Sequence, residues 1–199
     1  MSFGMRYEQM EEELQGRLKG TRFQHSLGVA AVAAKLAQRF GVDIEQARVA
    51  GLLHDCAREY CNETMLAEAA RRGIPIGDIE RAMPLLLHAA IGAQRVKEIY
   101  GVDDPAIEQA IARHTVGGPQ MTKLDKIIWF ADMIEPGRDY PEVAHLRRLA
   151  DAAGLDEMLL AGLSASIQFV VAKGQLVHPA TVLARNEILL QGIRAIQPA

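Results

Sequence analysis

The sequence is short of several residue types, and each shortage excludes a class of protein. Only two of its 199 residues are cysteines, Cys56 and Cys61, which are too few for a disulfide framework and not spaced like the ligands of a zinc ribbon. The 25 acidic and 22 basic residues nearly balance, so the chain lacks the basic excess of a protein that coats nucleic acid. We therefore expect reduced thiols and no nucleic-acid partner.

Long apolar runs are also scarce. No stretch approaches the roughly 20 apolar residues that a membrane helix requires, and the N-terminal segment MSFGMRYEQMEEELQGRLKG lacks the apolar core of a secretion signal. We expect a cytoplasmic protein that does not bind membranes. What is present is 49% hydrophobic residues with a mean hydropathy of +0.01, enough for a full-sized core.

Apolar residues recur at helical spacing throughout the chain, and residues that typically begin or end helices separate these segments. Apolar residues between positions 22 and 40 form two adjacent stripes, and Gly41 stands where a C-terminal cap belongs. Further helices are predicted over 43–58, 62–73, 84–100, 104–114, 122–135, 141–152, 155–173 and 180–195, with a loop at the segment IPIGD. No segment is long enough to link two domains, so the sequence predicts one all-α domain over residues 1–199.

Six polar residues occupy positions that the helical pattern places in the core. They are four histidines and two aspartates: His25, His54, His88, His114, Asp55 and Asp132. A single buried histidine is more often bonded to the backbone than to a metal. Four imidazoles and two carboxylates together, however, form an electrostatic problem that a divalent cation solves. The sequence therefore predicts a metal site.

Two ions suit this set, because Asp55 has two oxygens and can bridge them. Each histidine offers only one nitrogen, since a partner normally holds the other. One ion would take His25, His54, Asp55 and Asp132, and the second would take Asp55, His88 and His114. Mixed imidazole and carboxylate ligation suits iron, manganese, cobalt or zinc better than magnesium or calcium. Neither ion would be saturated by protein, which is typical of a catalytic site.

At these residues the sequence resembles the HD-domain metal-dependent phosphohydrolases, whose H…HD…D pattern matches His25, His54-Asp55 and Asp132. It resembles one branch more closely, the YqeK-type symmetrical bis(5'-nucleosyl)-tetraphosphatases, which are bacterial hydrolases of diadenosine tetraphosphate. The resembling segments lie between residues 22 and 186 in the family's order: RFQHSLGVA, GLLHDCARE, LLHAAIGA, ARHTVGG, KLDKIIWFADMIEPGRDY and HPATVLARN. His88, the HT-x-G segment and the ADMIEP-x-R segment make the match specific.

The resemblance implies an all-helical HD-type domain with a two-metal, typically di-iron, centre that cleaves diadenosine tetraphosphate into two ADP. It implies that the six residues above are the metal ligands. Substrate contacts are expected at Arg58, His88, His114, Thr115, Arg138 and the segment from Thr181 to Asn186. We expect the metal-binding core to cover about residues 21–138, and the helices over 141–195 to pack on it and complete the nucleotide pocket. Arg58 stands where the family often has Lys, and either residue can meet a phosphate.

The expected mechanism is attack on phosphorus by a hydroxide that the two metals activate. His54 and Asp55 would hold the metals, while Arg58 and Arg138 would stabilise charge on the polyphosphate and leaving group. We expect Trp129 in the core, and Arg147 on a solvated face.

Two other functions stay open. The chain could be an HD hydrolase of another nucleotide or phosphate ester, or a non-catalytic metal- or nucleotide-binding regulator. A homodimer is also compatible with the sequence, which leaves open the native metal, the oligomeric state and the preference among dinucleoside polyphosphates.

Overall fold

The computed structural model describes residues 3–194, and every regular element within them is helical. In this range the α-helices are α1 (Tyr7–Arg17), α2 (Gly20–Phe40), α3 (Ile44–Leu53), α4 (Asn62–Arg71), α5 (Asp78–Ala82), α6 (Leu87–Tyr100), α7 (Pro105–Arg113), α8 (Lys123–Ile134), α9 (Val143–Ala152), α10 (Leu155–Ala172) and α11 (Pro179–Leu190). A short 3-10 helix, Pro84–Leu86, precedes α6. The all-α prediction is confirmed; residue 195, the predicted end of the last helix, lies outside the described residues.

The helices that carry the polar core residues pack on one another. α2 lies against α3 and α8, and α7 lies against α3, α6 and α8. α2 and α3 approach closely at Gly51, where a Cβ atom would lie 2.8 Å from the Cα atom of Ala30. This glycine therefore sets how near α3 brings the residues that follow it to α2.

Several helix ends differ from the prediction, and two of them matter for the site. α3 ends at Leu53 rather than near Arg58, and α7 ends at Arg113, so His54 and His114 lie just beyond their helices. Placing these two histidines inside helices was wrong. The chain after α3 continues in tighter turns, in which backbone N–H groups bond to carbonyls three residues earlier.

Two helices were not predicted. α1 is rich in charge, and its only buried residues are Tyr7, Met10 and Leu14, so its apolar stripe is one residue wide. α5 begins at Asp78, the last residue of the segment predicted as a loop, and buries no residue. Short or mostly polar helices give a weak periodic signal because few of their positions meet the core.

Among the described residues, α10 alone is long and apolar enough to cross a membrane, with a hydropathy of 1.4 over 18 residues. It comes nearer to a membrane span than the sequence pattern led us to expect. Its first turn carries Asp156 and Glu157, it packs against α8 and α11, and its buried residues include Met158, Leu160 and Leu163. A core helix of this length and composition satisfies the same criterion.

Candidate metal centre

Three of the four histidines are held by the same local contact. The Nδ1–H group of each donates to the backbone carbonyl three residues earlier: Gly51 for His54 (2.7 Å), Leu85 for His88 (2.5 Å) and Ile111 for His114 (2.7 Å). A ring nitrogen that bonds to a carbonyl oxygen carries the proton, so Nε2 keeps its lone pair. Each ring is therefore fixed both in orientation and in the tautomer that binds a metal.

His25 on α2 has a carboxylate partner instead of a carbonyl. Its Nδ1 lies 3.0 Å from Oε1 of Glu135, a buried residue that follows α8 and whose Oε2 accepts the N–H of Gly137 at 2.6 Å. Gly28, one turn along α2, leaves room for this carboxylate, since a Cβ there would lie 2.7 Å from Oε2. A carboxylate partner raises the basicity of an imidazole ligand. The sequence pattern did not single out Glu135, although the ADMIEP-x-R segment contains it.

The four Nε2 atoms meet in two pairs. Those of His25 and His54 are 3.2 Å apart, and those of His88 and His114 are 3.0 Å apart. In the neutral rings each Nδ1 carries the proton that it donates to its partner, so the lone pairs of each Nε2 pair face one another and repel. A cation shared by each pair removes this repulsion, so these residues fit a metal centre.

Asp55 lies between the two histidine pairs. Its Oδ2 is 3.7 Å from Nε2 of His25 and 3.5 Å from Nε2 of His54. Its Oδ1 is 3.1 Å from Nε2 of His88 and 3.7 Å from Nε2 of His114. Each oxygen of one carboxylate thus faces its own pair of imidazoles, which is the arrangement that a bridging ligand requires.

Asp132 adds a second carboxylate on the side of His25 and His54. Its Oδ1 lies 3.0 Å from Nε2 of His25 and 3.9 Å from Nε2 of His54, and it accepts a hydrogen bond from the Arg138 guanidinium. The structure therefore brings together all six residues predicted as ligands, and triplets of them place ligand atoms within 4.8 Å of one another.

The protonation states of His54, Asp55 and Asp132 suit metal binding. For His25, burial lowers the pKa, but the carboxylates of Asp132 and Glu135 raise it above its usual value, so a metal at this ring displaces a proton. Burial lowers the pKa of His54 to about 4, so this imidazole is neutral near pH 7, as a ligand must be. Burial alone would raise the pKa of Asp55, but His54 and the other neighbouring imidazoles hold it well below its usual value. Burial also opposes ionisation of Asp132, yet His25, His54 and Arg138 keep its pKa below the usual range. Both aspartates are therefore carboxylates at neutral pH.

Three arginines surround the centre. Nη1 of Arg22 donates to Oδ2 of Asp55 at 2.8 Å, Nε of Arg58 lies 4.0 Å from Oδ1 of Asp55, and Nε of Arg138 donates to the backbone oxygen of Asp132 at 2.8 Å. Arg58 and Arg138 were predicted from the sequence, whereas Arg22 was not. Its position three residues before His25, on the same face of α2, was the signal that could have found it.

Other predicted substrate contacts differ in where they lie. Oγ1 of Thr115 is 3.3 Å from Nε2 of His88 and 3.1 Å from Nε2 of His114, at the centre itself. Thr181 is buried on α11 and donates to the carbonyl of Val116 at 2.8 Å, so it anchors the loop that carries Thr115. Asn186 is exposed on α11. Nucleotide contact by Thr181 or Asn186 stays a prediction.

Two cavities open at the centre and share Arg138. The first, called here the apolar cavity, has a volume of about 450 Å³ and is lined by His114, Thr115, Trp129, Asp132, Met133, Arg138, Asp139, Tyr140, Glu142, Ala165, Ser166 and Phe169. The second, the polar cavity, has about 920 Å³ and is lined by the start of α2 and the loop after α8: Gly20, Thr21, Arg22, Gln24, His25, Leu27, Gly28, Glu135, Pro136, Gly137 and Arg138. The prediction that Trp129 is a core residue is confirmed, since only 3% of it is exposed, although it also contributes to the lining of the apolar cavity.

The loop after α8 is fastened by Arg147 of α9. Its guanidinium donates to the carbonyls of Ile134 at 2.9 Å, Glu135 at 2.7 Å and Arg138 at 3.0 Å. The prediction that Arg147 lies on a solvated face was therefore wrong, because a guanidinium can satisfy several helix-end carbonyls at once. This contact fixes the backbone of two residues at the centre, Glu135 and Arg138.

An all-helical domain whose interior joins histidines and aspartates in this way defines a class of metal-dependent hydrolases. The family model described as "HD domain" matches residues 22–160, and the chain belongs to this HD-domain family.

Within the family, the chain is similar along most of its length to proteins named "Bis(5'-nucleosyl)-tetraphosphatase, symmetrical". The protein of this name from Bacillus subtilis is 39% identical over 165 residues, which cover 83% of this chain and 88% of the relative. That from Staphylococcus aureus is 32% identical over 183 residues, covering 92% and 94%. The crystal structure of a protein from Clostridium acetobutylicum, described as a predicted HD superfamily hydrolase involved in NAD metabolism, superimposes with a TM-score of 0.89 at 38% identity, over 94% of this chain and 98% of that one.

Proposed function

We propose that this chain is a metal-dependent phosphohydrolase that cleaves diadenosine tetraphosphate symmetrically into two ADP. The observation that carries the proposal is the pairing of four Nε2 atoms across the two oxygens of Asp55, in a chain 39% identical to a relative named for this activity. HD-domain proteins depend on metals, and the described residues include groups able to hold them.

The proposed cofactors are two divalent transition metal ions. His25, His54, Asp55 and Asp132 would hold one, and Asp55, His88 and His114 the other. Imidazole with carboxylate suits iron, manganese, cobalt or zinc, and iron is the metal that the resemblance to this family implies. Such ions supply positive charge that lowers the pKa of a water molecule and neutralises phosphate oxygens.

The protein groups around the centre bind and orient the tetraphosphate. Arg138 lines both cavities and reaches Asp132, so its guanidinium stands where a polyphosphate would pass from one cavity to the other. Arg58 lies 4.0 Å from Asp55 and adds charge on the side of His88 and His114. Cleavage at the central anhydride releases ADP, an anion that leaves without needing a proton, so no acid group is required of the protein.

The apolar cavity suits one nucleoside of the substrate. Three aromatic residues, Trp129, Tyr140 and Phe169, line it beside Thr115 and Asp132 of the centre. The indole N–H of Trp129 donates to the carbonyl of Thr115 at 3.3 Å, and the Tyr140 hydroxyl donates to the carbonyl of Met133 at 2.8 Å. Trp129 is buried and shapes the wall, so the rings available for a base to stack on are those of half-buried Tyr140 and of Phe169, which is 60% exposed.

Product identification tests the proposal. We expect the purified, metal-loaded chain to convert diadenosine tetraphosphate into ADP alone. ATP with AMP, or no turnover, would contradict it. An HD hydrolase of another nucleotide would instead turn over that substrate faster, and a regulator would bind nucleotide without hydrolysing any phosphoanhydride.

Elemental analysis tests the number of metals and their assignment. We expect two ions per wild-type chain, none per chain for Asp55→Ala, and one for His88→Ala, since the second site alone uses His88. Circular dichroism should show unchanged helicity in both variants. Two ions retained by His88→Ala would refute the assignment.

The substrate partner is a small nucleotide, and we propose the cytoplasm as its compartment. Cys56 and Cys61 are both free thiols, as expected of a reducing environment. A homodimer remains a proposal whose test is the mass of the chain in solution.

A further inference from the structure

A dinucleoside tetraphosphate needs room for a nucleoside on each side of the centre. Symmetrical cleavage places two phosphates and one nucleoside on each side of the broken bond. The apolar cavity includes Arg138 and is formed by α8, α10, the chain after α7 and the loop after α8. The other half of the substrate needs a separate volume that also reaches the centre.

The polar cavity meets this need. It is formed by the start of α2 and the loop after α8, includes His25 of the centre and shares Arg138 with the apolar cavity. Both cavity volumes, about 920 and 450 Å³, fall in the range of about 300–1,000 Å³ typical of small-molecule sites. A polyphosphate crossing the centre at Arg138 would therefore extend into both.

Arg22 gives the polar cavity a phosphate-binding group. Its Nη1 donates to Oδ2 of Asp55, and about a third of its side chain is exposed. A guanidinium carries five N–H donors in a planar fork, so the contact with Asp55 leaves others directed away from it. Arg22 and Arg138 are the basic side chains of this cavity, whose one acidic residue, Glu135, is engaged by His25 and Gly137.

We propose that the polar cavity is a second nucleotide subsite that takes the other nucleoside diphosphate half of the substrate, with Arg22 binding its phosphates. This proposal rests on the proposed function, because it assigns the second half of the same substrate. Arg22 lines this cavity and also donates to Asp55, the residue that faces both histidine pairs. Phosphates bound by Arg22 would therefore lie next to the centre.

The number of ADP molecules that the metal-loaded chain binds tests the proposal directly. Calorimetric titration with ADP, the expected product, should give two sites per chain in the wild type. In Arg22→Ala one site should be weakened by roughly 10- to 100-fold, the loss expected for a charged hydrogen bond to phosphate. Arg22→Lys should recover part of the affinity, and metal content should stay at the wild-type value in both variants.

Arg148→Ala is the matched control, because Arg148 is exposed on α9 and lines neither cavity. It should bind two ADP with wild-type affinity. One ADP site in the wild type, or two undiminished sites in Arg22→Ala, would overturn the proposal. Loss of metal from Arg22→Ala would also overturn it, because Arg22 would then act only by supporting Asp55. Two ADP sites without hydrolysis of diadenosine tetraphosphate would instead refute the proposed function and leave the second subsite standing.

Discussion

At the scale of single residues, the centre depends on which atom of each side chain is held by a partner. Three imidazoles are oriented by a carbonyl three residues earlier, a contact that each histidine makes within its own turn. The presence of such a partner could be predicted from the sequence, since a histidine that binds a metal through one nitrogen needs a hydrogen-bond partner for the other. That His25 uses a carboxylate 110 residues away could not, because only the packing of α2 against the end of α8 brings Glu135 to it.

Glu135 is expected to position His25 and to strengthen metal binding beside it. Replacing Glu135 with Ala removes both the acceptor and the charge, so we expect metal affinity to fall by about 10- to 100-fold. Glu135→Gln can still accept the N–H of His25 but lacks the charge, so a smaller loss is expected. Competition against a graded series of chelators measures both.

The control for Glu135 is Glu12→Gln, an exposed change on α1 that should leave metal affinity as in the wild type. Circular dichroism separates a lost ligand partner from a lost fold. Wild-type metal affinity in Glu135→Ala would show that His25 needs no carboxylate partner.

At the scale of helices, the sequence pattern predicted which helices exist better than it predicted the residues at which they end. α2, α7 and α8 carry caps that can be read directly, at Gly41, Asp104 and Thr122. The ends of α3 and α7 could not be placed because the same apolar pattern continues into the tighter turns after Leu53 and Arg113. Adjacent side chains diverge by about 100° in a helix and by about 120° in a tighter turn, so His54 and Asp55 serve one centre because the two oxygens of Asp55 face both histidine pairs.

Gly51 is the position at which helix packing limits the site, and we expect Gly51→Ala to destabilise the fold. Its new methyl would lie 2.8 Å from the Cα atom of Ala30, and backbone cannot move aside as a side chain can. The expected cost is roughly 1–3 kcal/mol in the free energy of unfolding, measured by urea denaturation. His54, whose Nδ1–H bonds to the carbonyl of Gly51, should shift with it and weaken metal binding.

Gly16→Ala provides the comparison on α1, because no atom lies within 4 Å of the position where its Cβ would be. That change should stabilise the chain slightly, by up to about 1 kcal/mol, through higher helix propensity. Equal stability of the two variants would mean that the contact between α2 and α3 is not tight at Gly51.

At the scale of the whole molecule, an acidic chain can bind an anionic substrate if positive charge is concentrated at the binding site. The chain carries −3. Two divalent ions would bring it to about +1, with the gain confined to one centre between two cavities that already share Arg138. Composition predicted the absence of a nucleic-acid surface and allowed such a local site. The cavities themselves could not be predicted, because their walls come from segments far apart in the chain: residues 20–28 and 135–138 for the polar cavity, and residues between 114 and 169 for the apolar cavity.

Metal removal should lower the stability of the whole fold without unfolding it. Arg22 and Arg138 each pair with a carboxylate of the centre, so part of its negative charge is neutralised by protein alone, and we expect the metal-free chain to keep its helices. Metals that bind only the folded chain add about 2.7 kcal/mol per site at a hundredfold excess over Kd. For a chain of this size this corresponds to roughly 5–10 °C in the unfolding midpoint for each site.

A calorimetric scan before and after treatment with a chelator measures that shift. The variant Asp55→Ala shows whether the shift comes from loss of metal at this centre or from another effect of the chelator. Since this variant lacks the carboxylate that faces both histidine pairs, its midpoint should not respond to chelator, whereas His88→Ala should show about half of the wild-type response. A wild-type midpoint that stays constant while elemental analysis shows the metal gone would mean that the six side chains gain no stability from a cation. The repulsion inferred between the paired Nε2 atoms would then have to be relieved by protons instead.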